Sequence, residues 1–444
     1  MLQLPRLAVG SVQTSVDPQP VCWALLALLS HRGQQVQHFH SSARFPRCEG
    51  AFSSTGVKSR HLDSWLMTPD LCREVFAHGA SKAEISIVEG RYATAHDTSP
   101  RGGQLADLCD WLDLPRLVVL DVTDIDNCRL PARPERADGL LLDKVQDAAH
   151  FARLQTTLES LWNIPVFGAL ESLPAVRECL DTVPRGMAPD REVCQALAAN
   201  FSRYARIDGL RNLAARRAFP CVRPFVFVAP ARGQNSNLTV AMAFDEAFSC
   251  YYPDALELLE LHGASVVDFS PLRDEALPAG TDLVVLGCGH PERYAAALAE
   301  NHCMRLALRE HLCAGRRIYA EGGGLAYLCE HMVTPTGKQV AMVGALPAVA
   351  TSNPHPSPPS AVEVSLSRKC WLGHPGTRLR GYLNANWHLE PSSKLDRLVR
   401  EPGHHCDLVG RYLAIGSRLH LNFVSQPEFL QGFLRPAAMS QASC

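Results

Sequence analysis

The stretch IYAEGGGLAYL at residues 318–328 contains the turn on which the fold depends. An apolar run leads into it, one acid and three glycines follow, and a second apolar run leaves it. This order is typical of a buried strand that turns sharply into a helix, an elbow at which some enzymes expose a nucleophile. The residue at the tip is Gly322, which has no side chain. The stretch therefore predicts an α/β domain whose elbow carries no nucleophile.

Upstream of the elbow, short apolar runs alternate with longer segments of helical periodicity. The pattern of a buried strand occurs at 6–10, 84–90, 116–122, 139–145 and 164–170. Helical spacing of apolar residues occurs between them, at 105–114 and 150–162. Strands and helices that alternate in this way are typical of a parallel sheet covered by helices. We therefore predict a doubly wound α/β domain at residues 1–220.

The alternation restarts after a helical segment at 190–217, which places the domain boundary near residue 220. Further strand patterns occur at 224–230, 239–245, 265–271, 282–289 and 316–324, with a helix at 254–263. These segments predict a second α/β domain at residues 221–444. Within it, residues 347–360 contain five prolines among polar residues. Such a composition predicts a stiff surface excursion outside any sheet.

Composition and charge narrow the possible partners and location of the chain. Its 444 residues carry 43 basic and 45 acidic side chains, a net charge of −2 that argues against nucleic acid as a partner. The apolar run at 21–29 is about half the length that a membrane span needs, so neither a membrane partner nor a signal peptide is expected. Sixteen cysteines without CxxC spacing predict reduced thiols and a cytoplasmic location. His404, His405 and Cys406 are adjacent, which predicts a loop rather than a metal site.

Several segments of the second half resemble the amidotransferase domain of cobyrinate a,c-diamide synthases. Residues 241–274 look like its opening, and LGCGHPERYAAALAEN at 286–301 is similar to its Gly-rich loop LGGGYPE. The elbow resembles YAECGGLMYL, and YLAIGSRLHLNF at 412–423 resembles the segment that ends in HLHF. The four matches occur in the family's order.

The first half matches the same family. SRHLDSWLM at 59–67 looks like the family's SRNLDPWMM, and IVEG at 87–90 looks like VIEG. The resemblance implies a P-loop-type doubly wound domain followed by a class I glutamine amidotransferase domain. It also implies a ligase that uses ATP, magnesium and glutamine to amidate the a and c carboxylates of a corrin ring.

The glutamine site departs from the family pattern at its nucleophile. Family members attack the glutamine amide with a cysteine thiolate, and the matching position here is Gly322. His420 matches the first histidine of HLHF and is the candidate acid–base partner, whereas Asn422 stands at the second histidine. The loop that would hold glutamine and its oxyanion comprises Gly287, Cys288, Gly289 and Gly323. Glutaminase chemistry by the family mechanism is therefore not expected.

Two cysteines and one aspartate lie near this site, and for Cys288 two interpretations remain open. Cys288 lies on the loop that should face the elbow, so a displaced nucleophile is one interpretation, although the thiol would need a lowered pKa. Packing is the other interpretation. Cys329 is predicted to pack in the core, and Asp245 is predicted to stabilise a turn.

The phosphate-binding loop is also missing from the first half. Directly after the first strand the chain reads GSVQTSVDPQPVCWALL at 10–26, with Gly10 but without the Gly-Lys-Ser/Thr that cradles phosphates and magnesium. Pro18 and Pro20 remove N–H donors, and the Asp17 carboxylate would repel phosphate.

Further departures concern the metal and the corrin. The family's KVGPDYIDP corresponds to residues 39–50, which contain no recognisable acidic metal ligand. Glu89 and Asp121, each near the end of a predicted strand, are the remaining candidates for contacts with magnesium or water. Acids at strand ends are also common structural features, so a structural role is the alternative. RLRGYLNANW at 378–387 keeps Arg380 and Gly381 of the family's RGHEFHYS but not its His and Glu.

Two classes of function remain open. The chain is either an enzyme of the family that amidates a corrinoid acid with free ammonia, or a non-catalytic paralogue. The paralogue would act as a binding, regulatory or scaffold subunit, with a corrinoid acid or an intact paralogue as its partner. The missing nucleophile at the elbow and the missing phosphate-binding loop lie in separate domains and would each abolish a different half-reaction. Two independent losses favour the paralogue. The sequence does not determine the oligomeric state.

Overall fold

The computed structural model describes residues 2–13, 16–45, 48–92, 102–123, 125, 130–230, 237–400 and 408–435. The chain divides into two compact units, Met1–Phe225 and Val226–Cys444, five residues beyond the predicted boundary. The predicted loop at His404, His405 and Cys406 lies outside the described residues. Among the helices that are described, none combines the length and the apolar character that crossing a membrane requires.

The N-terminal unit contains one parallel sheet. Its strands are β1 (Arg6–Ser11), β2 (Val36–His40), β3 (Arg60–His61), β4 (Ile85–Arg91), β5 (Arg116–Asp121), β6 (Gly139–Val145) and β7 (Val166–Glu171). Their order is β3-β2-β4-β1-β5-β6-β7. All described pairings in this sheet are parallel. The first crossover places β4 between β1 and β2, so the carboxyl ends of these three strands lie side by side.

Helices connect the strands of this unit. They are α1 (Gln19–His31), α2 (Gly50–Thr55), α3 (Pro69–Ala80), α4 (Leu105–Leu112), α5 (Ala148–Trp162), α6 (Pro174–Thr182), α7 (Arg191–Ser202) and α8 (Ile207–Ala215). The sheet is buried on both faces, which is why its strands are continuous apolar runs in the sequence. Nearly all of α1 is buried too, because α2 and α7 pack against it. The doubly wound domain is therefore present as predicted.

The C-terminal unit is built on a second seven-stranded sheet. Its strands in chain order are β8 (Thr239–Ala243), β10 (Ser265–Phe269), β11 (Leu283–Leu286), β13 (Arg317–Glu321), β20 (Asp396–Arg397), β22 (Leu408–Arg411) and β23 (Ala414–Ser417). The order in the sheet is β10-β8-β11-β13-β23-β22-β20, parallel as far as β23 and antiparallel beyond it. The elbow strand β13 is thus the central strand.

Smaller sheets and seven further elements complete this unit. The remaining strands are β9 (Phe248–Cys250), β12 (Cys288–Gly289), β14 (Cys329–Val333), β15 (Gln339–Ala341), β16 (Leu346–Ser352), β17 (Ser360–Leu366), β18 (Arg378–Leu383), β19 (Trp387–Pro391), β21 (Val399–Arg400) and β24 (Leu419–His420). The helices are α9 (Pro253–Leu261), α10 (Ala295–Glu300), α11 (His302–Cys313), α12 (Gly323–Leu328) and α13 (Pro427–Leu434), with 3-10 turns at Pro291–Tyr294 and Phe423–Ser425.

Two predictions of local structure are wrong. Residues 224–230 form no strand; Phe225 and Val228 are largely exposed, because none of the described strands pairs with this apolar run. The segment 347–360 is not outside the sheets, since 346–352 form β16 between β14 and β19. Pro347 is tolerated there because the pairing with β14 shifts register at that point, and bulges are where a strand accepts proline. The other four prolines lie in the connection that follows.

Candidate functional site

The elbow between β13 and α12 is present. Gly322 has φ +50° and ψ −107°, a conformation that is costly for a residue with a side chain. Its N–H donates to the Ser417 carbonyl at 2.8 Å, and its own carbonyl accepts from Ala326 N–H at 3.2 Å. The strained turn that presents a nucleophile in α/β enzymes is therefore formed around a glycine.

Three side chains surround the tip of the elbow. A Cβ atom at position 322 would lie 3.1 Å from Cys288 Cβ, 3.1 Å from Asn384 Nδ2 and 3.4 Å from His420 Cε1. The structure thus brings together Gly322, Cys288 and His420, which come from three separate segments. Contacts of 3.1 Å are tight for a Cβ, so Cys288 and Asn384 occupy room that a side chain at 322 would need.

His420 is buried between an amide and a carboxylate. Asn384 Nδ2 donates to His420 Nε2 at 2.9 Å, and Glu321 Oε2 lies 3.5 Å from His420 Nδ1. Tyr319 Oη donates to the other oxygen of Glu321 at 2.6 Å. The Asn384 amide is therefore hydrogen-bonded to His420 Nε2, the ring nitrogen that an acid–base histidine would use to accept a proton. Sequence reasoning did not identify Asn384, although it lies in the segment 378–387 that departs from the family.

The Cys288 thiol is not activated. Its side chain is buried, and burial together with the neighbouring Cys250 raises the pKa of the thiol well above its usual value. The two cysteines face each other across the β9–β12 pair. Because a nucleophilic cysteine needs a lowered pKa, the surroundings of Cys288 keep it as a neutral thiol.

The loop glycines are used for packing. Gly287 N–H donates to Tyr251 Oη at 2.8 Å, so this amide does not stand open for an oxyanion. A Cβ at Gly289 would collide with the Ala247 carbonyl, and one at Gly323 would lie 2.6 Å from Pro291 Cδ. The loop that would hold glutamine therefore packs tightly against its neighbours.

Other predicted residues of this unit have structural roles. Asn422 accepts from Val424 N–H at 3.0 Å, and Arg380 pairs with Glu363 at 2.6 Å near the surface. Gly381 backs directly onto the His420 carbonyl, where a Cβ would lie 2.5 Å away. Cys329 is fully buried, and its thiol donates to a backbone carbonyl of α12 at 3.3 Å, so the prediction that it packs is confirmed.

Asp245 stabilises a turn, as predicted. One carboxylate oxygen accepts from the N–H groups of Ala247 and Phe248, at 2.9 and 3.1 Å. The other accepts from Ser270 Oγ at 2.9 Å and from Leu272 N–H at 3.0 Å.

We expect Asp245→Ala to lower the free energy of unfolding by about 3–5 kcal/mol, because four donors would lose a buried, charged acceptor. Urea denaturation followed by circular dichroism measures this change. Asp268→Ala is the matched control, since Asp268 is exposed on the neighbouring strand, and it should change stability by less than about 0.5 kcal/mol. Equal effects of the two variants would contradict the role of Asp245.

At the N-terminus of α1, where a phosphate loop would bind its anion, a carboxylate of the protein already accepts a backbone N–H. Gln19 N–H donates to Asp17 Oδ1 at 3.0 Å. Pro18 and Pro20 flank Gln19 and contribute no N–H groups. Gly10 is fixed by packing, because a Cβ there would lie 2.7 Å from the Gly90 carbonyl. Phosphate would thus meet a carboxylate where it needs donors.

The two acids predicted as magnesium candidates have partners within the protein. Burial alone would raise the pKa of Glu89, but the hydrogen bond and charge of His38, 3.1 Å away, lower it to about 2. Burial of Asp121 is likewise outweighed by Lys144 Nζ at 2.5 Å and by Thr123, which together lower its pKa. The residues present do not fit a magnesium–ATP complex, since no lysine follows Gly10 in the loop and Asp17 places a carboxylate where phosphate would need donors.

The fold and the elbow together define a class of protein. The N-terminal unit is a doubly wound parallel sheet, and the C-terminal unit is a second α/β sheet whose central strand ends in the elbow. Residues 239–383 match the model of the CobB/CobQ-like glutamine amidotransferase domain.

Curated relatives extend the similarity over nearly the whole chain. A hydrogenobyrinate a,c-diamide synthase of Streptomyces coelicolor is 30% identical over 450 residues, covering 90% of this chain and 88% of that one. Cobyrinate a,c-diamide synthases of Syntrophotalea carbinolica and Dehalococcoides mccartyi are 30% and 28% identical, over 78% and 98% of both chains respectively. The chain belongs to the cobyrinate a,c-diamide synthase family.

Proposed function

We propose that this family member does not catalyse the amidation reaction of the family and acts as a non-catalytic binding, regulatory or scaffold subunit. One observation carries the proposal. The elbow keeps its strained backbone beside His420, yet its tip is Gly322, and Cys288 and Asn384 fill the adjoining room. A covalent intermediate with glutamine requires a nucleophile at that tip, and the neutral thiol of Cys288 is a poor substitute.

The N-terminal unit supports the same proposal independently. Free ammonia can replace glutamine as the amide donor, so the loss at Gly322 alone would leave an ammonia-dependent enzyme. Activation of a carboxylate still requires ATP and neutralisation of its phosphate charge. Asp17 places a carboxylate at the helix terminus where phosphate would bind, and no lysine follows in the loop.

The partners of such a subunit follow from family membership. We propose that it binds a corrinoid acid, the substrate class named for its relatives, or an intact paralogue whose reaction it supports. Neither partner requires glutamine cleavage or ATP turnover by this chain. A cytoplasmic location is part of the same proposal.

Glutaminase assays test the loss at the elbow. Purified protein incubated with glutamine should release no glutamate above the rate of a blank, with or without ATP and a corrin acid. An intact family synthase serves as the positive control. Glutamate release that disappears in Cys288→Ser would overturn the proposal, because it would show that a displaced thiol performs the reaction. Release that disappears only in His420→Ala would overturn it as well.

A further inference from the structure

A buried cluster of Cys22, His38 and Glu89 lies at the carboxyl edge of the N-terminal sheet. Cys22 lies in the first turns of α1, His38 on β2, and Glu89 near the end of β4. All three are buried, and their potential ligand atoms all lie within 4.8 Å of one another. Thiol, imidazole and carboxylate are the three groups from which proteins build zinc sites.

Hydrogen bonds orient the imidazole for ligation. His38 Nδ1 lies 2.9 Å from Ser59 Oγ, and His38 Nε2 lies 3.1 Å from Glu89 Oε2. Histidines that bind metals usually engage one ring nitrogen with an outer partner, which directs the other nitrogen to the ion. Ser59 is buried and supplies that outer partner for His38.

The charges of the cluster suit a divalent ion. One thiolate, one carboxylate and one neutral imidazole around a divalent cation carry no net charge, which reduces the cost of burial.

We propose that Cys22 Sγ, His38 Nε2 and Glu89 Oε2 bind a divalent transition metal of the zinc type, with water in the fourth position. Tetrahedral zinc requires ligand atoms roughly 3.3–3.8 Å apart. His38 Nε2 and Glu89 Oε2, at 3.1 Å, are already near this range, and since all ligand atoms lie within 4.8 Å, Cys22 Sγ needs to approach by at most about 1 Å. Magnesium does not suit this set, because it prefers oxygen ligands throughout. The site therefore differs in metal preference from the magnesium–ATP site of the family.

A neighbouring histidine supports the assignment. His40 is buried, its ring centre lies 4.7 Å from that of His38, and its Nε2 has no hydrogen-bond partner among the described residues. A buried, unsatisfied nitrogen calls for a partner, and an ion with its water would provide one.

Metal binding changes the proton balance. A zinc–sulfur bond forms as the S–H bond of Cys22 breaks, and that proton passes to solvent. A zinc–nitrogen bond forms as the N–H bond at His38 Nε2 breaks, and that proton moves to Nδ1, which then donates to Ser59 Oγ. No electron is transferred. The inference does not depend on the proposed function, since a buried metal can stabilise either an active or an inactive chain.

The experiment uses the full chain, expressed in zinc-supplemented medium and compared before and after dialysis against a chelator. We expect one zinc per chain by mass spectrometry of the metal content. We also expect cobalt(II), added to the dialysed protein, to produce the charge-transfer absorption of a cobalt–thiolate bond. Cys22→Ser should remove this absorption and weaken zinc binding by at least ~100-fold. This loss exceeds the one expected for a residue, such as Ser59, that only hydrogen-bonds to a metal ligand.

Two variants keep the experiment decisive. Cys72→Ser changes a thiol that is equally buried in the same unit but lies outside the cluster, so it should retain both zinc and the cobalt absorption. Ser59→Ala should weaken zinc binding by ~10–100-fold while the cobalt absorption persists at saturating metal. Absence of bound zinc and of the cobalt absorption in folded wild-type protein would overturn the inference. Stoichiometric zinc that survives in folded Cys22→Ser would overturn it too.

Discussion

Returning a thiol to the elbow, with Gly322→Cys and Cys288→Gly combined, is expected to produce a cysteine that reacts rapidly with alkylating reagents. The two substitutions exchange a cysteine and a glycine that face each other, 3.1 Å from Cys288 Cβ to the Cβ position of residue 322. The family motifs have the opposite arrangement, with glycine in the loop and cysteine at the elbow. The exchange therefore restores the family pattern without increasing the volume of the site.

The surroundings of residue 322 favour a thiolate. His420 Cε1 lies 3.4 Å from the Cβ position, and Glu321 adjoins the other side of that imidazole. A histidine beside a cysteine lowers the pKa of the thiol and raises its reactivity. At pH 7 the new thiol should react with iodoacetamide at least ~10-fold faster than wild-type Cys288, with the site of labelling mapped by peptide mass spectrometry.

Control variants distinguish a thiol that His420 activates from one that is merely exposed to the reagent. His420→Ala in the background of the double exchange should return the rate to that of an ordinary thiol. Gly322→Cys alone should destabilise the protein by about 1–2 kcal/mol, because φ is +50° and Cys288 is retained. If the thiol introduced at position 322 of a folded double variant reacts no faster than wild-type Cys288, the residues around the elbow no longer activate a cysteine.

Titration with ATP and magnesium is expected to give no binding heat at millimolar nucleotide. Asp17 already accepts the N–H of Gln19 at the start of α1, and Pro18 and Pro20 supply no donors. A P-loop normally contributes several N–H groups and a lysine to the same phosphates. Without them, affinity should be weaker than about 1 mM, which corresponds to less than about 4 kcal/mol of binding free energy.

Isothermal calorimetry measures this directly, and a relative with an intact Gly-Lys-Ser/Thr loop is the positive control. Asp17→Asn is the informative variant, since it removes the negative charge but retains an oxygen that can accept the Gln19 N–H. We expect it to remain without detectable binding, because the lysine and the missing donors are not restored. Saturable binding below about 100 μM by the wild-type protein would contradict the account of the N-terminal unit.

The sequence was sufficient to predict β1, β4, β5, β6 and β7 of the first sheet and β8, β10, β11 and β13 of the second, because buried parallel strands leave continuous apolar runs. The other strands of the two sheets were not predicted. The sequence was misleading at residues 224–230, where the same pattern pairs with none of the described strands. Pro347 led to the opposite error, since a segment predicted to lie outside any sheet begins with part of β16. The register shift that accommodates this proline is a property of the pair β14–β16, so neither strand's own sequence reveals it.

The sequence predicted which residues form part of the candidate site but not how they contact one another. Motif matches identified Gly322, Cys288 and His420, but their contact distances depend on the packing of three segments. Asn384 was not identified, because its partner His420 comes 36 residues later and meets it where β18 pairs with β24. Asp17 was expected to repel phosphate, and the structure adds that its carboxylate accepts the Gln19 N–H at the start of α1.

The most direct test of the central claim, that this chain has lost both half-reactions, is a single assay of the complete reaction. Purified protein would be incubated with ATP, magnesium, a corrin a,c-diacid and either glutamine or ammonia, and both ADP and amidated corrin would be measured by mass spectrometry. We expect neither product above the level of a protein-free blank with either nitrogen donor. Formation of amidated corrin in proportion to ADP would contradict the account.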